Sequence, residues 1–202
     1  MRPVRTPAVA LLVASLSLAP SALAQQNPEK VDMAAMMAKA KKYTQPGEEH
    51  KLLHRFLGSW DTEVRMTMPG TSNAPEKGTA TCRWLMEGRW LQCDGSGTMM
   101  GMAMKTTFIL GYNIFKMSYV SAAINSVDTI MIYSEGDLDP AGKALLMYGT
   151  LDEYLTGEHD KMVKSVWRFV SDDEMKLEIH DLPIGESNTQ VFEIRYRRHK
   201  EG

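Results

Sequence analysis

The residues that could carry chemistry are few and scattered. Glu135, Glu178 and Glu193 each fall in the middle of a strand-like run, as do Arg168 and Arg195. Two of those carboxylates meeting inside a barrel could divide the work of general acid and general base. Buried there, they would need the arginines as partners. The plainer reading, that they face solvent or pair with Arg168 and Arg195, carries more weight. His50 and His54 stand four apart on one helical face, a spacing that zinc accepts. Lys51 follows His50 where a metalloprotease helix has glutamate, however, and no third ligand is evident.

Methionine is the unusual component, 16 residues in all, with Met99, Met100, Met102 and Met104 clustered. Thioethers are soft ligands suited to Cu(I). Met100, Met102 and Met104 at period two also describe one face of a strand, and methionine fills irregular apolar space readily. Packing is the stronger reading. Haem would need an axial ligand, for which His180 and His199 near the ends of late strands are available. His180 shares its face with Lys176 and Glu178, and His199 lies in a basic tail, so both read as solvated ends. No Gly-x-Ser-x-Gly elbow, phosphate-cradling glycine loop or dinucleotide fingerprint is present. The expectation is a chain with no metal or cofactor and no recognised catalytic motif.

The elements that must position these side chains are mostly strands. His50 to Leu57 reads as a short amphipathic helix, with Leu52, Leu53, Phe56 and Leu57 on one face and Gly58 as its stop. From Trp60 the period becomes two: Trp60, Thr62, Val64, Met66 and Met68 fall on one side, Asp61, Glu63, Arg65 and Thr67 on the other. That strand ends at Pro69-Gly70. Further strand-like runs cover Gly78–Met86, Arg89–Asp94, a Met-rich run through Phe108 and Leu110 to Gly111, Met117–Ile124 and Thr129–Asp137. Ala144–Tyr154, Met162–Val170, Met175–His180 and Val191–Arg198 follow. Asp94-Gly95-Ser96-Gly97 and Asp139-Pro140-Ala141-Gly142 read as turns. About ten strands with no long helix between them exclude a parallel βαβ arrangement and point to an all-β sandwich or barrel.

The two cysteines belong to one hairpin. An even-length loop centred on Glu87-Gly88 pairs 86 with 89, 84 with 91 and Cys82 with Cys93. Directly opposite residues sit at about 5.5 Å between Cα atoms when hydrogen-bonded, a separation that a disulfide accepts. A three-residue loop would shift the register by one and put Cys82 opposite Asp94. A bridge is the expected state in an exported chain, with two reduced buried thiols as the alternative.

Export is expected from the first residues. Arg2 and Arg5 make a positive start, Ala8 to Leu18 an apolar core, and Ala22-Leu23-Ala24 a small-residue cleavage signature. The apolar stretch is broken by Pro20 well short of the roughly 20 residues a span requires, so the mature protein carries no membrane span. Residues 1–24 form the leader, 25–45 an arm, partly helical or disordered, and 46–200 the barrel domain. In the arm, Asp32 can cap a helix carrying Met33, Met36, Met37 and Ala40. Cleavage near Ala24/Gln25 would release a periplasmic or extracellular protein. The formal charge, -2 for the whole chain, becomes -4 when the leader takes two basic residues with it. No basic stripe suggests nucleic acid as a partner.

Several short segments together resemble one family. They are His50 with Leu53 and Gly58-Ser59-Trp60, then Gly88-Arg89-Trp90-Leu91, Met99-Met100-Gly101-Met102 and Gly111-Tyr112. Ser134-Glu135-Gly136 and Phe192-Glu193-Ile194-Arg195-Tyr196-Arg197 complete the set, in order, from about 48 to 198. The chain resembles the exported bacterial proteins grouped as domain of unknown function 1579, similar to the calycin group. Where that family tends to show a tryptophan followed by an acidic residue, this chain has Ser121-Ala122-Ala123-Ile124-Asn125. The resemblance implies a single antiparallel up-and-down β-barrel of about ten strands, calycin/lipocalin-like, with a short N-terminal helix before the first strand. It makes His50 a structural hydrogen-bonding residue at the barrel mouth. It also implies that Gly58 and Trp60 are structural, with Trp60 packed under a late-strand arginine, Arg195 or Arg197. The family name supplies no activity.

A barrel of this size is wide enough to hold one small ligand. Trp84, Leu91, Met100, Met102, Tyr112, Trp167 and Phe169 are available to line such a cavity, with Glu135, Arg168, Glu178, Glu193 and Arg195 as its polar groups. The functional expectation is binding of a small apolar or amphipathic molecule. The alternatives are an enzyme with a carboxylate–arginine site in the lumen, and an interaction protein whose barrel is filled.

Overall fold

The computed structural model describes residues 32–67, 74–154, 156–182 and 189–200. The expected leader, Met68 and the Pro69-Gly70 turn lie outside these residues. The chain divides into two compact units, Met1–Lys39 and Ala40–Gly202. Helix α1 spans Met33–Thr44, and none of its residues is buried. Asp32 caps it, its carboxylate accepting the Ala34 and Ala35 N–H groups at 3.0 and 3.1 Å.

Ten strands follow: β1 (Gly58–Met66), β2 (Glu76–Met86), β3 (Trp90–Met99), β4 (Met102–Asn113), β5 (Ser118–Asn125), β6 (Ile132–Leu138), β7 (Ala144–Glu153), β8 (Glu158–Phe169), β9 (Glu174–Asp181) and β10 (Thr189–Arg198). Each is antiparallel to the next, and β10 pairs with β1 to close the barrel. Closure leaves no sheet edge with unpaired backbone groups. Alternation then decides which side chains enter the lumen.

The helix before β1 is a 3-10 helix over Glu48–Arg55 rather than an α-helix. Its three-residue repeat stacks i and i+3 along one edge, so His50, Leu53 and Phe56 are buried together. This short element plugs one end of the barrel. Phe56 sits edge-on to Trp167 and Phe169, with ring centroids 5.2 and 5.5 Å away. Burial lowers the His50 pKa, and its Nδ1 accepts the Gly47 N–H at 3.0 Å.

The two hairpins read least securely from spacing follow different rules. The β2–β3 loop is Glu87-Gly88-Arg89, with Arg89 N–H donating to the Met86 carbonyl at 2.9 Å. Three residues alone would have shifted the register. A bulge between Trp84 and Met86 cancels the shift, so Trp84 faces Leu91 and Cys82 faces Cys93. The two cysteines form a disulfide with their Cα atoms 4.0 Å apart, nearer the separation of a non-hydrogen-bonded pair than the ~5.5 Å expected. Gly95-Ser96-Gly97, expected as a turn, lies within β3. The turn is Met100-Gly101, flanked by the Met99–Met102 pair. Both turn residues have positive φ, 54° and 74°, the conformation two-residue hairpins favour. Glu76 accepts the Met100 N–H at 2.7 Å and holds this turn.

Candidate functional site

The inward-facing positions follow from Trp60, Thr62 and Met66, which are buried on β1. Register carries the same face around the barrel through Ala80, Cys82, Cys93, Leu110, Tyr119, Met147, Trp167, Leu177 and Tyr196. At the plugged end this interior is solid, with Leu53, Leu91, Leu110 and Leu145 fully buried. Further along, between β1–β4 and β8–β10, it opens into a cavity of about 90 Å³.

The cavity exists because its β2–β3 wall has almost no side chains. Gly78, Ala80, Gly95 and Gly97 all line it. A Cβ on Gly97 would lie 3.0 Å from the Gly78 Cα, and one on Gly95 would lie 2.5 Å from Thr106 Oγ1. Close approach of β2, β3 and β4 therefore demands glycine there. The opposite wall is aromatic. The Trp167 ring lies 5.5 Å from Phe108 and 5.4 Å from Tyr196, both tilted. The Cys82–Cys93 bridge, Met104, Met175 and Ile194 complete an apolar surface. Six hydroxyl-bearing residues line it as well, Thr62, Thr79, Ser96, Thr98, Thr106 and Tyr196, and Thr62 pairs directly with Tyr196 across β1 and β10. Burial alone raises the Tyr196 pKa.

Of the seven residues expected to line a cavity, Trp167 does. Leu91 and Phe169 belong to the packed core, with Arg55 placed 4.2 Å over the Phe169 ring. Trp84 packs edge-on to His54 at 5.1 Å, and Tyr112 against His50 at 5.7 Å and Tyr119 at 4.9 Å. These four surround the plug helix. Met100 and Met102 are exposed on the β3–β4 hairpin, while Met104 reaches the cavity.

The expected polar set lies on the outer face, because Met175, Leu177 and the inner face of β10 take the opposite parity. Glu178 is buried and ion-paired with Arg168 at 3.0 Å and Lys176 at 3.1 Å, and His180 lies 3.5 Å away. Glu193 stands opposite Glu178 and shares Lys176 at 3.3 Å. Arg195 pairs with Glu174, and Glu135 with Lys116. Burial pushes the Glu178 pKa up, but hydrogen bonds from Arg168 and Lys176 outweigh it and bring the pKa down to about 2. This is an ionised structural network rather than an acid–base pair. His199 pairs with Asp61 at 3.0 Å. Among the described residues no cluster of three or more His, Cys, Asp or Glu side chains is arranged to hold a metal.

Trp60 is packed under an arginine, but the partner is Arg198, 4.2 Å over the indole. Arg195 and Arg197 face Glu63 and Asp61 across β1 and so point outward, whereas Arg198 pairs with Trp60 itself. Arg198 also donates to the Leu57 carbonyl at 2.9 Å and the Asp172 carbonyl at 2.9 Å. The Trp60 indole N–H donates to the Phe56 carbonyl at 2.8 Å. In the Ser121-Ala122-Ala123-Ile124-Asn125 segment, Ser121 is buried and shares a 2.7 Å hydrogen bond with Ser134.

The cavity residues missed by sequence reasoning include Thr62, Val64, Thr106, Phe108, Met175, Ile194, Tyr196 and the glycines. Thr62 and Tyr196 were legible, since both lie on faces shared with Trp60 and Ile194. The glycines were not, because their composition also describes a turn.

Among solved structures, the barrel is similar to that of Rv2717c from M. tuberculosis, with 11% identity, a TM-score of 0.57, and coverage of 77% of this chain and 100% of that one. It is also similar to the S-type phycobiliprotein lyase CPES from Guillardia theta, with 10% identity, a TM-score of 0.53, and coverage of 75% and 93%. At these identities the likeness is one of fold. No curated protein matches the sequence. Residues 45–198 match the family described as protein of unknown function DUF1579, and the chain belongs to that family.

Proposed function

We propose that this is an exported barrel that takes a small apolar or amphipathic molecule into its lumen. The observation that carries the reading is the cavity between the glycine wall and the Phe108–Trp167–Tyr196 wall. The interior is well packed at its plugged end, and this cavity lies where β2 and β3 lack side chains. At about 90 Å³ the space is small beside the roughly 300–1,000 Å³ of ordinary ligand pockets. It therefore accepts a compact molecule, or the compact end of a longer one whose remainder extends toward Lys77 and Thr98 at the end opposite the plug. The likeness to a phycobiliprotein lyase is compatible with small-molecule binding. Export rests on the leader read over residues 1–24 and agrees with the Cys82–Cys93 disulfide, since such bonds persist outside the cytoplasm.

A filled barrel working through its outer surface is the second reading. It draws on the same volume, which is below the roughly 300–1,000 Å³ of ordinary ligand pockets. Exposed Tyr133, Tyr148 and Met162 on the outer face of β6–β8 would then be the contact surface. Native mass spectrometry of protein purified from the periplasm of its own host separates the two. Ligand binding predicts a substoichiometric to stoichiometric adduct that is lost on denaturation. A bare mass in the native spectrum, with no uptake of small apolar probes, would refute it.

A further inference from the structure

We infer that the group entering the lumen is uncharged and accepts a hydrogen bond from Tyr196. This rests on the ligand-binding reading and narrows it to a chemical class. Among the described residues, the inward-facing side chains around the cavity include no carboxylate, lysine, arginine or histidine. Apart from Tyr196 they are hydroxyl, aromatic, aliphatic and sulfur-bearing. Lys77 lines the rim from β2, but its parity is that of Thr79 and Thr81, which point outward. A carboxylate or ammonium carried into this space would lose its hydration with no opposite charge to replace it. A neutral group meets no such penalty.

The lumen nonetheless holds hydroxyl groups, and that of Tyr196 is carried on a ring set among aromatic neighbours. Tyr196 is an inward residue of β10, and burial is the sole influence on its ionisation, with no hydrogen bond contributing. Its neighbours are the Trp167 ring, 5.4 Å away, and Thr62 directly across the β1–β10 ladder. A hydroxyl on a cavity wall among aromatic rings gains more from a partner than one in bulk water, and a phenol whose pKa is raised keeps its proton and can donate it. The glycine wall leaves the space opposite. A carbonyl, ether or similar neutral acceptor on a compact apolar frame fits that combination; a purely apolar molecule fills the volume but offers the hydroxyl no acceptor.

A matched pair of probes tests this: cyclopentanone and methylenecyclopentane, nearly equal in shape, one with a carbonyl oxygen and one without. The full mature chain carrying 13C-methyl methionine reports entry through Met104 and Met175, which line the cavity, with exposed Met100 as the control. Tyr196→Phe should weaken cyclopentanone about five- to tenfold, the worth of one neutral hydrogen bond, and leave methylenecyclopentane within twofold. In the unsubstituted protein the Tyr196 ring carbon bearing oxygen should shift with the ketone and not with the hydrocarbon, a reading that stands even if the variant folds poorly. If the hydrocarbon shifts Met104 and Met175 while Tyr196→Phe leaves the ketone unchanged, or the Tyr196 carbon ignores the ketone, the inference fails and lumen binding survives. If neither probe moves Met104 or Met175, lumen binding itself fails.

Discussion

Replacing Arg198 with alanine should unfasten the closed end of the barrel. The guanidinium ties three pieces of chain: the Leu57 carbonyl between plug helix and β1, the Asp172 carbonyl in the β8–β9 turn, and the Trp60 ring. Hydrogen bonds from a charged donor contribute about 1.5–3 kcal/mol each. The side chain is 33% exposed, so solvent screening places both at or below the bottom of that range. Stacking on indole adds roughly 0.5–1 kcal/mol. The expected loss is about 3 kcal/mol, or roughly 6–12 °C in Tm for a domain of this size. Arg198→Lys keeps the charge but loses the fork, and should recover less than half of it. Gly58 supplies an internal control. Its φ is +113°, and a Cβ there would lie 2.6 Å from Arg198 Nη1. Gly58→Ala therefore displaces the same guanidinium, and the double variant should be less damaged than the sum by at least about 1 kcal/mol. Urea melts of the four proteins give the cycle. A loss below 1 kcal/mol for Arg198→Ala, or full additivity with Gly58→Ala, would refute the clasp.

Two further outcomes follow from the ion network and the disulfide. Glu178 is ordinarily protonated below about 4.5 but here titrates at about 2. Its contribution is therefore complete above pH 4.5 and is lost as pH falls from 4.5 toward 2; the full shift corresponds to roughly 3 kcal/mol, reduced to about 1–2 because Arg168 is half exposed. Glu178→Gln should flatten the acid limb of the stability curve in that window, and an unchanged limb would remove Glu178 from the account. Mass mapping without reductant should find the Cys82 and Cys93 peptides linked, and Cys82→Ala with Cys93→Ala should cost about 3 kcal/mol, as closing a loop this short implies; free thiols at both positions in exported protein would contradict the hairpin register.

How much of this was legible in the amino-acid order depended on whether a feature was local. Period-two alternation from Trp60 onward, the capping Asp32, the hairpin that brings Cys82 to Cys93 and the barrel class are all consequences of near neighbours, and all are present in the fold. The bulge at Leu85 shows the limit: loop length and bulge each change the register, and their cancellation is settled by which faces must be buried. Glu178 and Arg168 were recognised as partners, yet their side of the wall was decided by Leu177 and Trp167 taking the inner one. The glycines of β3 carry the same lesson. A Gly-Ser-Gly run specifies either a turn or a strand pressed against its neighbours, and the distances to Gly78 and Thr106 chose the latter. Sequence determined the strands and their alternating faces, because side-chain parity is a property of the extended backbone itself. Tertiary structure alone decided that Arg198 covers Trp60 and that Tyr196 lines the cavity. Both depend on where β10 meets β1 after the whole chain has gone around the barrel, a register that no nearby residue encodes.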